Sequence, residues 1–343
     1  MISRLEKVQK RLGSWNVETV IIENPVDLFY LTGLDLSKGR LVLRTSEAHL
    51  FVDGRYISYA KEHSPCPVSL LSTAPPLQGP VGFDSAWTTV AALEKLQGDI
   101  QMLVPISRPL REERAVKEKS EIKKLREAAL LTWEGIKHIQ RLLREGISEK
   151  ELALEFEFFV KKQGASGLSF EPIIAFGENS ALPHHRASKD RLRKDQVVLI
   201  DVGAVVDHYA ADVTRVLFFG QKDPELERLH DLVIEADRRA RAQVRVGEKM
   251  GSLDESARRV FARAGVEELF VHSLGHGIGL ETHEYPLIRF DGEDRDDKIR
   301  LGMVFTIEPG LYQPGLGGIR YENTGVVTEQ GFESFYPDGL PHA

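Results

Sequence analysis

The stretch QVVLIDVGAVVDHYAADVTRVLFF, residues 196–219, reads as two strands folded back on one another, each with an acid where none belongs. Asp201 closes an uncharged run, and Asp212 follows two alanines. A lone buried carboxylate either costs several kcal/mol or takes up a proton. With the chain reversing around Val206 and Asp207, the two aspartates face each other across a hairpin. Their Cβ atoms are then about 5 Å apart. No Asn-Gly pair marks the turn, so this register is inferred from alternation alone.

The same device returns further along. MVFTIEPG (303–310) ends an apolar run on Glu308, and GGIRYENTGVV (317–327) carries Glu322. Arg320, two positions earlier, projects from the same strand face as Glu322. Between the hairpins, FVHSLGHGIGLETHEYP (270–286) holds His272, His276 and His283. NSALPHHRAS (179–188) holds His184 and His185. Glycines 275, 277 and 279 argue against a helical pair of histidine ligands and let the backbone close around His276. The Gly-x-Gly runs lack the strand-then-helix setting of a dinucleotide fingerprint.

Taken singly, each acid is an ordinary strand-end residue. Taken together, Asp201, Asp212, His276, Glu308 and Glu322 are most economically explained by cations between them. Two divalent ions ~3.5 Å apart repel by roughly 19 kcal/mol at an effective dielectric of about 20, which bridging anions must offset. Four carboxylates balance two such ions, leaving a shared hydroxide as the excess anion and nucleophile. Oxygen donors with a single imidazole favour Mn²⁺, Co²⁺ or Fe²⁺ over a sulfur-rich zinc site, with Zn²⁺ still compatible. His185 reads as a surface neighbour, His208 as a solvated turn residue and Arg320 as a neutraliser of a buried acid.

A chain of 343 residues exceeds one ordinary core, so two domains are expected. Up to about residue 110, strand-like TVIIE (19–23), GRLVL (39–43), AHLFV (48–52) and VGFD (81–84) alternate with three helical pieces: the start of the chain, RYISYAKEH and WTTVAALEKL. That alternation predicts an α/β layered domain. The boundary falls within 108–116, giving domains 1–112 and 113–343. The second domain starts with a helix whose apolar face is Ile122, Leu125, Ala129, Ile136, Ile139 and Leu143. A capping box of Ser148 and Glu151 opens another, Asp223-Pro224 a third, and Ser252 with Glu255 a fourth. Two helices and a strand pair, twice over, predict a pseudo-symmetric α+β fold with its site between the halves.

Bulk properties exclude several classes. The net charge of −7 and the lack of a long basic run argue against nucleic-acid and anionic-membrane partners. The opening MISRLEKVQKRLG lacks the apolar core of a signal peptide, and a lone cysteine, Cys66, suits a reducing cytoplasm.

NSALPHH, IDVGAVVDHYAADVTR, HSLGHGIGLETHE, TIEPG and GGIRYEN, in that order, resemble the motifs of the pita-bread metallopeptidases of the Xaa-Pro branch. That branch covers aminopeptidase P, prolidase and the non-peptidase creatinase. PVDLFYLTGL and FVDGRYISYA resemble the branch's N-terminal domain. The resemblance implies that Asp201 and Asp212 bind one ion. Asp212, His276, Glu308 and Glu322 would bind the other, with manganese first and cobalt or zinc as alternatives. It makes Glu308 the proton carrier, His184 and His283 stabilisers of substrate and intermediate, His272 part of the proline pocket, and Arg320 a support for Glu322. Asn323 departs from the family, which has Asp after the last ligand. The implied activity is release of the N-terminal residue from peptides with proline second, by a cytoplasmic homodimer. Prolidase, acting on dipeptides, is the nearest alternative. Methionine aminopeptidase, creatine hydrolysis and a non-catalytic binding module are more distant.

Overall fold

The computed structural model describes residues 3–339. It divides into two compact units, residues 1–114 and 115–343. In the first, strands β1 (Thr19–Ile22), β2 (Gly39–Arg44), β3 (Ala48–Val52), β4 (Val68–Leu70), β5 (Pro80–Asp84) and β6 (Met102–Ile106) form one sheet ordered β4-β3-β2-β1-β5-β6. The β1–β2 and β2–β3 pairs are antiparallel and the others parallel. Ile21, Val42, Phe51, Val81 and Phe83 build its core. Helices α1 (Arg4–Gln9), α2 (Pro25–Thr32), α3 (Ile57–His63) and α4 (Val90–Asp99) surround the strands in sequence, and the short α5 (Arg111–Ala115) follows. Helix α2 was not anticipated. Its signals are local: Asn24 accepts from the Val26 N–H, Pro25 occupies the first turn, and Gly33 at φ 74° ends it.

The second unit opens with α6 (Lys119–Arg141), which buries Leu125, Ala129, Ile136 and Ile139 at the predicted spacing. Helix α7 (Glu149–Lys162) carries the predicted Ser148–Glu151 capping box. Strands β7 (Gly167–Leu168), β8 (Ile173–Phe176), β9 (Gln196–Val202), β10 (Ala204–Val206), β11 (Tyr209–Ala210) and β12 (Val213–Phe219) follow, in sheets β12-β9-β8 and β11-β10-β7. Asp223 caps α8 (Pro224–Gln243) as expected. Helix α9 (Met250–Arg263) starts before the Ser252–Glu255 pair. The Asp297 and Arg295 carbonyls receive the N–H groups of Met250 and Gly251, so a neighbouring loop caps this helix and Ser252 bonds back to Lys249.

Strands β13 (Gly275–Gly277), β14 (Glu284–Ile288), β15 (Val304–Ile307), β16 (Gly310–Gln313), β17 (Gly317–Arg320), β18 (Asn323–Thr328) and β19 (Gly331–Ser334) complete the unit. Five of them form the sheet β14-β13-β15-β18-β19, and β16 pairs with β17. The two strands expected over 303–327 are therefore four, broken at Glu308-Pro309 and after Arg320. The plan remains two helix pairs, each followed by a hairpin.

Alternation along β9 explains its unbroken apolar run. Val198, Ile200 and Val202 pack with α6 and α7, whereas Val197 and Leu199 join the core built on α8 and α9. A strand covered on both faces needs no polar side. Asp201 shares the face of Val197 and Leu199. Asp212, immediately before β12, and Thr214 on it likewise share the face of Val216, a residue of that same α8–α9 core. Both aspartates thus point between the two halves.

Candidate metal centre

One continuous register runs through the first hairpin, from Val206↔Tyr209 to Phe219↔Gln196. It places Thr214 opposite Asp201, so the aspartates are diagonal neighbours and not the facing pair expected from the sequence. The turn is centred on Asp207 and His208, both at positive φ (47° and 71°), as a two-residue hairpin turn requires. The second hairpin differs. Ile307 pairs with Asn323, Gly310 with Arg320, and the Tyr321 N–H donates to the Pro309 carbonyl. Glu308 and Glu322 are therefore directly opposed.

The hairpins are stitched together through their backbones. The Glu322 N–H donates to the Thr214 carbonyl at 3.2 Å, and the Glu308 N–H to that of Leu274 at 2.8 Å. His276 stands on β13 between Gly275 and Gly277. A Cβ at Gly275 would lie 2.1 Å from the Thr306 carbonyl oxygen, and one at Gly277 would lie 2.2 Å from that of Tyr285. Only glycine lets this strand run so close to its neighbours.

Ligand-type atoms of Asp212, His276 and Glu322 lie within 4.8 Å of one another. His276 Nε2 is 3.3 Å from Glu308 Oε1 and 3.7 Å from Asp212 Oδ2. Its Nδ1 lies 3.0 Å from the Gly277 carbonyl, which fixes the proton there and turns a lone pair toward the acids. Burial holds His276 down to about 3, so Nε2 carries no proton to offer them. Acceptors therefore face acceptors. Burial, then the neighbouring carboxylates, push Asp212 and Glu308 well above the usual range and Glu322 up to about 8. Buried oxygens Asp201 Oδ1 and Glu322 Oε1 have no hydrogen-bond partner. Such a donor set fits divalent cations.

Asp201 stands apart in one respect: its Oδ2 receives Arg320 Nη2 at 2.5 Å. Arg320 also donates from Nε to Thr214 Oγ1 (3.0 Å) and from Nη1 to the Tyr312 hydroxyl (2.7 Å). That hydroxyl then donates to His272 Nε2 at 2.8 Å, while His272 Nδ1 is 2.7 Å from the Ser273 carbonyl. Both ring nitrogens of His272 are committed, so only its ring is left for a pocket wall. His283 is exposed, its ring centroid 4.2 Å from that of His276. His184 is exposed and close enough to lower the basicity of His283 and His272, a lesser effect than desolvation on each and, at His272, than Arg320. His208 is exposed in its turn. His185 is not the surface neighbour expected: its side chain is enclosed and its Nε2 lies 2.8 Å from Glu149 Oε2.

Three threonines escaped sequence reasoning. Thr214 Oγ1 donates to Glu322 Oε2 (2.7 Å), Thr306 Oγ1 lies 3.3 Å from Glu308 Oε1, and Thr324 Oγ1 donates to the Asp212 carbonyl (2.9 Å). Each stands two residues from an acid, in DVT, TIE and ENT, and so on that acid's strand face. The period of two was the available signal. Asn323, where the resemblance expects Asp, accepts from Arg215 Nη2 at 2.9 Å and leaves its own Nδ2 buried without a partner.

Residues 123–329 match the metallopeptidase family M24 model, and residues 4–116 match the creatinase/prolidase N-terminal domain model. A Xaa-Pro dipeptidase from Pyrococcus furiosus is 33% identical over 349 residues, covering 96% of this chain and 97% of that one. The structure of a Xaa-Pro dipeptidase from Bacillus anthracis superposes with a TM-score of 0.92 at 30% identity, covering 98% of both chains. An X-Pro aminopeptidase from Thermotoga maritima gives a TM-score of 0.86 at 30% identity, covering 97% of this chain and 99% of that one. With its buried acid–imidazole cluster on paired hairpins, this chain belongs to metallopeptidase family M24, with the pita-bread catalytic fold and a creatinase-type N-terminal domain.

Proposed function

We propose that the protein is a dinuclear-metal Xaa-Pro dipeptidase, a prolidase. The reading put first from the sequence was an Xaa-Pro aminopeptidase. The alternative gains on it because relatives named Xaa-Pro dipeptidase match almost the whole chain. That near-complete match carries the proposal. The Thermotoga maritima structure keeps the aminopeptidase as a second reading.

Asp201 and Asp212 would hold one cation, and Asp212, His276, Glu308 and Glu322 the other, with manganese as the first candidate. Bound there, such ions supply Lewis acidity and make a water nucleophilic near neutral pH. The remaining chemistry belongs to side chains. Glu308, steadied by Thr306, takes a proton from the attacking water and delivers it to the proline nitrogen as the C–N bond breaks. His283 donates a hydrogen bond to the carbonyl oxygen as charge builds there. His184 orients the substrate, and the ring of His272 packs against proline. A cytoplasmic homodimer completes the proposal, resting on the family resemblance and the single cysteine.

The test is a comparison of Ala-Pro with an Arg-Pro-Pro-type longer peptide on manganese-loaded protein. Preference for Ala-Pro by about tenfold or more in kcat/KM supports the proposal. The reverse preference favours the aminopeptidase, and cleavage of neither leaves a binding module.

A further inference from the structure

Glu149 has no part in this chemistry, yet its carboxylate is enclosed. Its Oε1 accepts from the Phe176 N–H (2.8 Å) and Asn179 Nδ2 (2.9 Å). Its Oε2 accepts from His185 Nε2 (2.8 Å), the Ser188 N–H (2.9 Å) and Ser188 Oγ (2.8 Å). Burial alone would raise this carboxyl. The bonds from Asn179, His185, Phe176 and Ser188 outweigh it and hold the group below the usual range. All the donors come from one segment, residues 176–188, and that segment carries His184.

The segment is pinned on another side as well. Ser180 Oγ accepts from the Gly318 N–H at 2.7 Å, and the Pro183 carbonyl accepts from Arg320 Nη1 at 3.3 Å. Between these anchors, His184 stays exposed, near enough to His283 and His272 for its charge to act on both. His185, next in the chain, turns the other way into Glu149. Successive residues of an irregular loop thus divide the work: one is tied to the scaffold and the other is left to meet substrate.

We infer that Glu149 and His185 are positioning residues whose hydrogen bond fixes His184 over the reaction site. The inference rests on the Xaa-Pro peptidase reading for its kinetic consequence, but not for the clamp itself. A purely structural role would lower stability without depending on His184. A positioning role must vanish when His184 is gone.

The experiment uses full-length, manganese-loaded protein with Ala-Pro as substrate and the variants H185A, H185Q, H184A and H184A/H185A. In parallel, hydrogen–deuterium exchange follows residues 176–188. H185A should lower kcat/KM by about 10- to 100-fold at unchanged metal content, the cost of a reacting group displaced by about 1 Å. H185Q, which keeps an N–H donor, should recover part of that loss. Added to H184A, H185A should cost less than about twofold more. Costs that multiply, or an H185A enzyme as active as the parent, would overturn the inference. Exchange at the Phe176 and Ser188 amides should quicken at least about tenfold in H185A, with α7 and β9 unchanged. If the parent protein cleaves no Xaa-Pro peptide, the functional proposal falls alone, and unchanged exchange in H185A then overturns the clamp.

Discussion

Stripped of metal, the protein should lose stability as pH rises from about 6.5 to about 8, opposite to what loss of ordinary ion-paired carboxylates would give. Burial, with Asp201 next in effect, pushes Glu322 up to about 8. A carboxyl whose folded pKa exceeds its unfolded value stabilises the fold below the unfolded pKa. That stability drains away as pH climbs through the folded one. Each such group contributes a slope of about 1.4 kcal/mol per pH unit, so Glu322 alone accounts for about 2 kcal/mol across the window. Asp212 and Glu308 are shifted in the same direction, so their protonation acts in the same sense. His272 and His276, held down to about 3 by burial, act in the opposite sense. Their effect is confined below the ordinary histidine pKa of about 6.5, because above it they are neutral in both states. For a unit of this size, 2 kcal/mol corresponds to a drop of about 4–8 °C in Tm. Scanning calorimetry of chelated, dialysed protein at constant ionic strength reads this directly. Manganese-loaded protein should show no such fall, since cations bind the deprotonated acids and gain affinity with pH. A Tm that is flat or rising in the chelated protein, or an E322Q variant with an undiminished slope, would refute the reasoning.

Three further outcomes are expected. D212N and E308A should each lose roughly 10²–10⁴-fold in kcat with unchanged circular dichroism, and a fully active variant would remove that residue from the machinery. In metal-free protein, R320L strands Asp201 without its cation and should cost about 3–5 kcal/mol in denaturant unfolding, whereas Y312F, losing a neutral hydrogen-bond partner, should cost about 1–3 kcal/mol. N323D turns the Oδ1 that accepts from Arg215 Nη2 into a carboxylate oxygen and removes the unpartnered Nδ2–H donors, and should raise the Tm of loaded protein by about 2–4 °C.

What the sequence revealed and what it hid have physical causes. Asp201, Asp212, Glu308 and Glu322 were legible because charge inside an apolar run needs an explanation. Their faces followed from the two-residue period of strands. The exact opposition across the first hairpin was not legible. Its turn uses Asp207 and His208 in the left-handed region, where Asn-Gly would have announced the register. Helix α2 was hidden because β-branched and aromatic residues mask a helix fixed by its ends. Threonine is ordinary in strands, so nothing but the period of two could single out Thr214, Thr306 and Thr324. Nothing in the sequence marks Glu149, since its donors lie 27 to 39 residues further on.

The two hairpins also divide the electrostatic load unequally. Glu308 and Glu322 stand directly opposite, the arrangement in which like charges repel most strongly. Asp201 stands diagonal to Asp212, with Thr214 in the facing place, and Arg320 already occupies one of its oxygens. What holds the crowded acids together is the backbone: the Glu322 N–H on Thr214, the Glu308 N–H on Leu274, and the Thr324 hydroxyl on the Asp212 carbonyl. None of these bonds involves a carboxylate oxygen. The strands are therefore fixed by contacts that survive protonation of the acids. A centre built this way is formed before its ions arrive. Burial and, after it, mutual repulsion appear as raised pKa values and not as a splayed site, which is why the pH dependence of the metal-free protein tests the geometry itself.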